Sequence, residues 1–133
     1  IIMHSIIALS ILFQFSFSIF SIVGSGITLD NNCLSLKTPV MNEEIILDSA
    51  QVAFISNDDW LPISKINGID SYEFNSGFFK LKNGQRAFVF EHFHKKSPYL
   101  LIYYKNNYFV INYPNVSLLY QEIEKSNPVK LNI

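Results

Sequence analysis

Residues 79–90 read Phe79-Lys80-Leu81-Lys82-Asn83-Gly84-Gln85-Arg86-Ala87-Phe88-Val89-Phe90. Phe79 and Leu81 alternate with Lys80 and Lys82, and beyond Asn83-Gly84 the residues Phe88 and Phe90 alternate with Ala87, Val89 and Glu91. A period of two places successive side chains on opposite faces of a strand. Asn-Gly is the commonest pair in a type I′ turn, whose two central residues need positive φ. These residues therefore predict a β-hairpin, and the neighbouring sequence repeats the pattern. Residues 99–104 and 108–111 are rich in tyrosine, isoleucine and valine around Lys105, Asn106 and Asn107, which predicts a second hairpin.

Upstream, residues 27–29 and 33–36 flank the turn formers Asp30, Asn31 and Asn32, and 45–47 and 52–55 are further strand candidates. The stretch 60–77 is rich in Asn, Gly and Ser and reads as a long structured loop with little regular pairing. After the second hairpin the period changes. Val116, Leu119, Tyr120 and Ile123 stand at i, i+3, i+4 and i+7, with Pro114 and Asn115 ahead of them and Asn127-Pro128 after them. That spacing predicts one amphipathic helix. About seven strands closed by a helix, with no alternating βα units, imply a mainly β fold built on an antiparallel sheet or partly open barrel.

The N-terminal part is of another kind. Residues 1–29 contain no Asp, Glu, Lys or Arg, so all ten cationic and eleven anionic side chains lie in the rest of the chain. Residues 6–23 are apolar on every face of a helix, interrupted only by serines and Gln14, and residues 2–23 are long enough to cross a hydrocarbon core of about 30 Å. The remaining chain is too small to enclose such a helix beside a core of its own. A transmembrane helix is the expectation, with the lipid bilayer as partner of residues 2–23, a linker at 24–26 and one domain over 27–133. A cleaved signal peptide is the rival, because Gly24, Ser25 and Gly26 follow the run as they would at a cleavage site. The start at Ile1, with Met3 inside the run, suggests a truncated or unusual beginning and a missing upstream basic region or span. The first cation is Lys37, so the positive-inside rule gives no orientation.

The order of the downstream elements resembles the bacterial pleckstrin-homology domain family over residues 27–124. The resemblance rests on Ile66-Asn67-Gly68, on Gly77-Phe78-Phe79-Lys80-Leu81-Lys82-Asn83-Gly84 with residues 87–90, and on Ser97-Pro98-Tyr99-Leu100-Leu101-Ile102. Residues 108–112 and Leu119-Tyr120-Gln121-Glu122-Ile123 complete it. It implies a PH-like, partly open antiparallel β-barrel of two near-orthogonal sheets, capped by the C-terminal helix and placed after one or two membrane spans. Such proteins commonly carry two spans, and this sequence offers one. The family brings no catalytic residues.

A net charge of −1 gives no field to recruit nucleic acid, and the single cysteine, Cys33, rules out an internal disulfide and any multi-cysteine metal site. Lys80, Lys82 and Arg86 flank the tight turn, and Lys95 and Lys96 follow in the next loop, so together they suggest a basic rim for an anionic ligand or lipid headgroup. The ordinary alternative is a solvated hairpin. His92 and His94 share one face of an extended chain, yet two ligands do not make a metal site, and they read as exposed strand-end histidines. Asp58 and Asp59 point to opposite sides and cannot flank one bond, so they read as turn chemistry beside Trp60. The phenylalanines and tyrosines of the strands read as core. No nucleophile triad, phosphate loop or cofactor motif appears. The expected function is a membrane-anchored, non-catalytic binding or scaffolding module at the cytoplasmic face, with a protein segment or membrane component as partner. The alternative is an exported small β-barrel that binds an apolar ligand after signal cleavage.

Overall fold

The computed structural model describes residues 17–22, 25–39, 42–71, 74–92 and 96–133. It is mainly β with one C-terminal helix, as the sequence predicts, and its sheets do not close. The chain divides into two compact units, Ile1–Ile46 and Leu47–Ile133, where the sequence suggests a segment ending at 26 and one domain after it.

The first unit is a four-stranded antiparallel meander of β1 (Phe17–Ile22), β2 (Ser25–Asp30), β3 (Cys33–Lys37) and β4 (Asn42–Ile46). Asn31 and Asn32, both at positive φ (48° and 65°), turn β2 into β3. The register sets Leu36 against Ile27 and Leu34 against Ile45, so one face of the sheet carries a row of buried apolar side chains. Ser25 and Gly26, expected in a linker, belong to β2. Of the expected membrane helix, Phe17–Ile22 is a strand paired with β2, and the residues before it lie outside the described residues. Among the described residues no helix is long and apolar enough to cross a membrane.

The second unit holds β5 (Gln51–Ile55), β6 (Pro62–Asp70), β7 (Phe74–Leu81), β8 (Arg86–His92), β9 (Tyr99–Tyr104), β10 (Asn107–Asn112), helix α1 (Val116–Glu124) and β11 (Val129–Lys130). Its seven strands are ordered β11-β5-β9-β10-β8-β7-β6. Both predicted hairpins are present, but β10 inserts between β9 and β8 and runs parallel to β8, with Tyr108 beside Ala87 and Asn112 beside Glu91. The sheet is therefore mixed rather than antiparallel. Sequence alternation fixes which face a residue occupies, but it is silent on which strand lies next door.

Two turns exchange types relative to expectation. At Asn83-Gly84 only Gly84 has positive φ (87°), Gly84 N–H donates to Leu81 C=O (3.0 Å) and Leu81 N–H to Gln85 C=O (2.8 Å). This is a three-residue loop ending in a left-handed glycine, and Asn83 Oδ1 helps to hold it by accepting from Gln85 N–H at 3.0 Å. The tight two-residue turn with both φ positive lies instead at Lys105 (49°) and Asn106 (63°).

One face of the sheet carries the core of Ile55, Phe79, Leu81, Ala87, Val89, Tyr99, Leu101 and Val110, with Trp60, Leu61 and Tyr108 packed against it. Helix α1 buries Val116, Leu119 and Ile123, and its Tyr120 stacks on Phe54 of β5 at 4.7 Å. The stretch expected to be an unpaired loop is mostly β6, the edge strand paired with β7. Its pattern is hidden for physical reasons. Five of its nine positions in a row are exposed, so no apolar alternation is required. Two irregularities, at Ile63 and Ile66, also break the period.

Gly68 and Gly77 stand directly opposite each other across β6 and β7, at φ of 141° and 127°. A Cβ on Gly77 would lie 2.3 Å from the Asn67 carbonyl oxygen, and one on Gly68 would lie 2.1 Å from that of Ser76. The close approach of two backbones and the left-handed φ both demand glycine here. Gly77→Ala is expected to lower the unfolding free energy by about 2 kcal/mol in urea titration. An unchanged midpoint would mean that the two strands do not meet this closely.

Candidate functional site

Because β8 and β10 run in the same direction, their preceding turns, 82–85 and 105–106, emerge at the same end of the sheet. Between them lies an open groove of about 410 Å³, lined by Phe78, Gly84, Gln85, Arg86, Asn106, Asn107 and Tyr108. Two aromatic rings, one guanidinium and three side-chain amides thus surround one space. Its walls are braced from both faces of the sheet. Phe78 packs on Phe88 at 5.2 Å, and Phe88 on Phe109 at 5.4 Å, a ladder across three strands. On the other face, Tyr108 contacts both Trp60 and Tyr103 at 4.8 Å.

The strongest electrostatic feature is a like-charge pair. Lys80 and Arg86 are direct partners across β7 and β8, so they project from the same face, and both are exposed. Like charges set directly opposite each other destabilise a hairpin. Among the described residues no carboxylate pairs with Lys80, Lys82 or Arg86. Lys82 is exposed in the adjoining turn. An anion seated against this end would relieve the repulsion through charge-assisted hydrogen bonds, which the guanidinium can donate two at a time.

The five cations read from the sequence do not form one rim. Lys80, Lys82 and Arg86 share the groove end, whereas Lys96 follows the far end of β8, about 20 Å away along a strand of seven residues. Lys95 lies outside the described residues, as does His94. His92 is buried, not an exposed strand-end residue. Among the described residues no three His, Cys, Asp or Glu side chains stand together as a metal site. The far end instead carries a buried polar row, Asn75, Glu91 and Asn112 on three adjacent strands, in which Asn75 Nδ2 donates to Glu91 Oε1 at 2.7 Å. The groove residues Gln85, Asn106 and Asn107 escape sequence reading because each looks like ordinary turn chemistry, and Tyr108 because it reads as an ordinary strand residue. Asn106 Oδ1 does accept from Tyr103 O–H (3.3 Å), and Asn107 Nδ2 donates to Lys105 C=O (3.3 Å).

Asp58 and Asp59 belong to a loop that leans on the groove from the core side. Asp59 N–H donates to Asn57 Oδ1 (3.0 Å), Lys82 N–H to Leu61 C=O (2.9 Å) and Asn83 N–H to Asp59 C=O (2.9 Å). Tyr99 anchors this loop by accepting from Trp60 N–H at 3.0 Å. Burial pushes the Tyr99 phenol up to about 12, with the Asp58 and Asp59 charges adding to the rise and the Trp60 N–H opposing it. Burial also raises Tyr113. No protein-family model, curated protein or solved structure matches the chain.

Two outcomes follow from this geometry. Lys80→Glu converts a repulsive cross-strand pair into an attractive one, so the unfolding free energy should rise by a few tenths of a kcal/mol. A fall would show that the two cations do not face each other. A phenol whose folded pKa lies above its unfolded value of about 10 contributes stability in full below pH 10, and that contribution is lost as pH rises toward 12. Denaturant midpoints should therefore fall across this window, and Tyr99→Phe should flatten the fall. An identical slope in the variant contradicts the assignment.

Proposed function

We propose that this protein is a membrane-anchored, non-catalytic binding or scaffolding module whose turn-end groove receives an anionic group of its partner. The observation that carries the reading is the parallel β8–β10 pairing. It sets Arg86 among three amides and two aromatic rings, with Lys80 directly opposite and no described carboxylate neutralising either. Few precisely oriented polar groups beside aromatic walls are what a small recognition site needs. Nothing among these groups supplies a nucleophile held by a base, which is the arrangement that bond-breaking chemistry uses.

Membrane attachment is supported by the uncharged run of residues 1–29. The β1–β2 pairing and a membrane helix through Phe17–Ile22 exclude each other, so insertion would exchange that hairpin for lipid contact. Kinship with the bacterial pleckstrin-homology family belongs to the same proposal. The quoted sequence runs fall in order on β6 to β10 and α1. The mixed, open sheet is where this chain departs from two near-orthogonal antiparallel sheets.

The test places a benzophenone side chain at Gln85 and irradiates membranes of cells that produce the full chain. The wild-type background should give a discrete adduct, and Lys80→Glu with Arg86→Glu should reduce it about tenfold or more, the scale of one lost charge-assisted contact. Equal labelling in both backgrounds, or no adduct in either, overturns the reading.

A further inference from the structure

A sheet that does not close has two outer strands, each of which presents backbone groups to any extended chain. On one side β6 is defended. It opens on Pro62, carries Lys65, and has irregularities at Ile63 and Ile66 that interrupt a straight ladder. Proline, lysine and bulges are the usual obstacles to strand addition. The opposite edge, β5, has none of these within Gln51-Val52-Ala53-Phe54-Ile55. Among the described residues its outer side pairs with the two residues of β11, which runs parallel to it with Val129 beside Gln51 and Lys130 beside Val52.

That cover is incomplete in a defined way. Leu131 N–H donates to Val52 C=O at 2.8 Å, so the backbone of Val52 faces outward. Alternation along a strand turns Phe54 outward as well, because β9 takes up the other side of β5. Residues 131–133 lie outside any strand, and no backbone hydrogen bond from them reaches Phe54. The resident segment therefore uses one of two outward stations. Its side chains show what the edge accepts. Val129 is 60 % exposed, Lys130 reaches the Glu124 carboxylate and the Tyr120 hydroxyl, and Leu131 packs against the core. Tyr120 in turn stacks on Phe54, so the basic position is read by groups fixed to the acceptor strand.

We propose that the outer edge of β5 is a strand-acceptor site, filled in this chain by its own residues 129–131. Its partner is an extended polypeptide segment with the order apolar, basic, apolar, which pairs parallel to β5 and continues to Phe54. Main-chain hydrogen bonds supply the attraction and the basic and second apolar positions supply selectivity. The resident strand competes as an intramolecular ligand, since a link of four residues holds it beside its site at high effective concentration. An incoming strand displaces it by engaging both Val52 and Phe54. This site is separate from the groove and does not depend on it.

The probe is a fluorescent peptide with the sequence of residues 127–133, Asn-Pro-Val-Lys-Leu-Asn-Ile, offered to the full chain. Leu131→Pro removes the N–H bonded to Val52, and Lys130→Asp repels Glu124 without touching the core, so at least one variant should free the edge in a folded protein. Saturable binding at least tenfold tighter to a freed variant than to wild type is expected, with slowed amide exchange at Val52 and Phe54. A peptide with lysine and the second apolar residue interchanged should bind at least tenfold more weakly. Absence of binding to both variants in their folded form overturns the proposal. So do equal binding to wild type and variant, equal binding of the interchanged peptide, and a wild-type chain that pairs with itself through this strand.

Discussion

Everything at the groove end of this sheet depends on one strand pairing: β10 lies against β8 in parallel, with Tyr108 beside Ala87 and Ile111 beside Phe90. Were β10 antiparallel to β8, the turns that precede these two strands would stand at opposite ends of the sheet. Here the chain passes β10's place, lays down β9 one strand further out, and returns to fill the gap. The turns 82–85 and 105–106 then share an end, and the groove is the space between them. The same pairing aligns Val89, Val110 and Leu101 in one row of the core and Glu91 with Asn112 in another. Core and groove are two results of one register.

Much of this was legible in the sequence, for a simple reason. Alternation at residues 79–90 and 99–111 is a burial pattern, and the structure buries Phe79 and Leu81 on one face as it marks, but Ala87 and Val89 rather than Phe88 and Phe90 share that face, because the three-residue loop shifts the register by one. The helical stripe of Val116, Leu119 and Ile123 is read just as directly. What escaped was of two kinds. β6 escaped because an edge strand with exposed positions and two irregularities has no need of alternation, and because Gly68 and Gly77, ordinarily turn formers, serve a close strand approach. The groove escaped because its residues come from two turns about twenty positions apart, and no local pattern announces which turns will be neighbours. The Asn83 and Asn106 turns make the same point on a smaller scale. The Asn-Gly pair adopts the longer loop, while Lys105-Asn106 adopts the tight one.

The basic residues show how a linear reading over-collects. Five cations within 17 positions look like one patch, but β8 separates Lys96 from Arg86 by its own length. What remains is smaller and more specific, a facing pair of cations beside a polar and aromatic groove. A repulsive pair retained at an exposed position is a modest cost in stability. An anion seated beside it would relieve that repulsion. At the other edge of the sheet, the two-residue β11 plays a comparable part for the backbone, occupying a place that a longer strand would fill more completely.

The register of β10 against β8 is accessible to one direct measurement. In a Cys33→Ser background, cysteines are placed at Gln85 and Asn106 in one chain and at Gln85 and Pro114 in another, and each is treated with a short bifunctional thiol reagent. Parallel pairing gives rapid intramolecular cross-linking of the 85–106 pair and little of the 85–114 pair. The reverse ranking, which an antiparallel β10 would produce, contradicts the shared turn end and with it the groove.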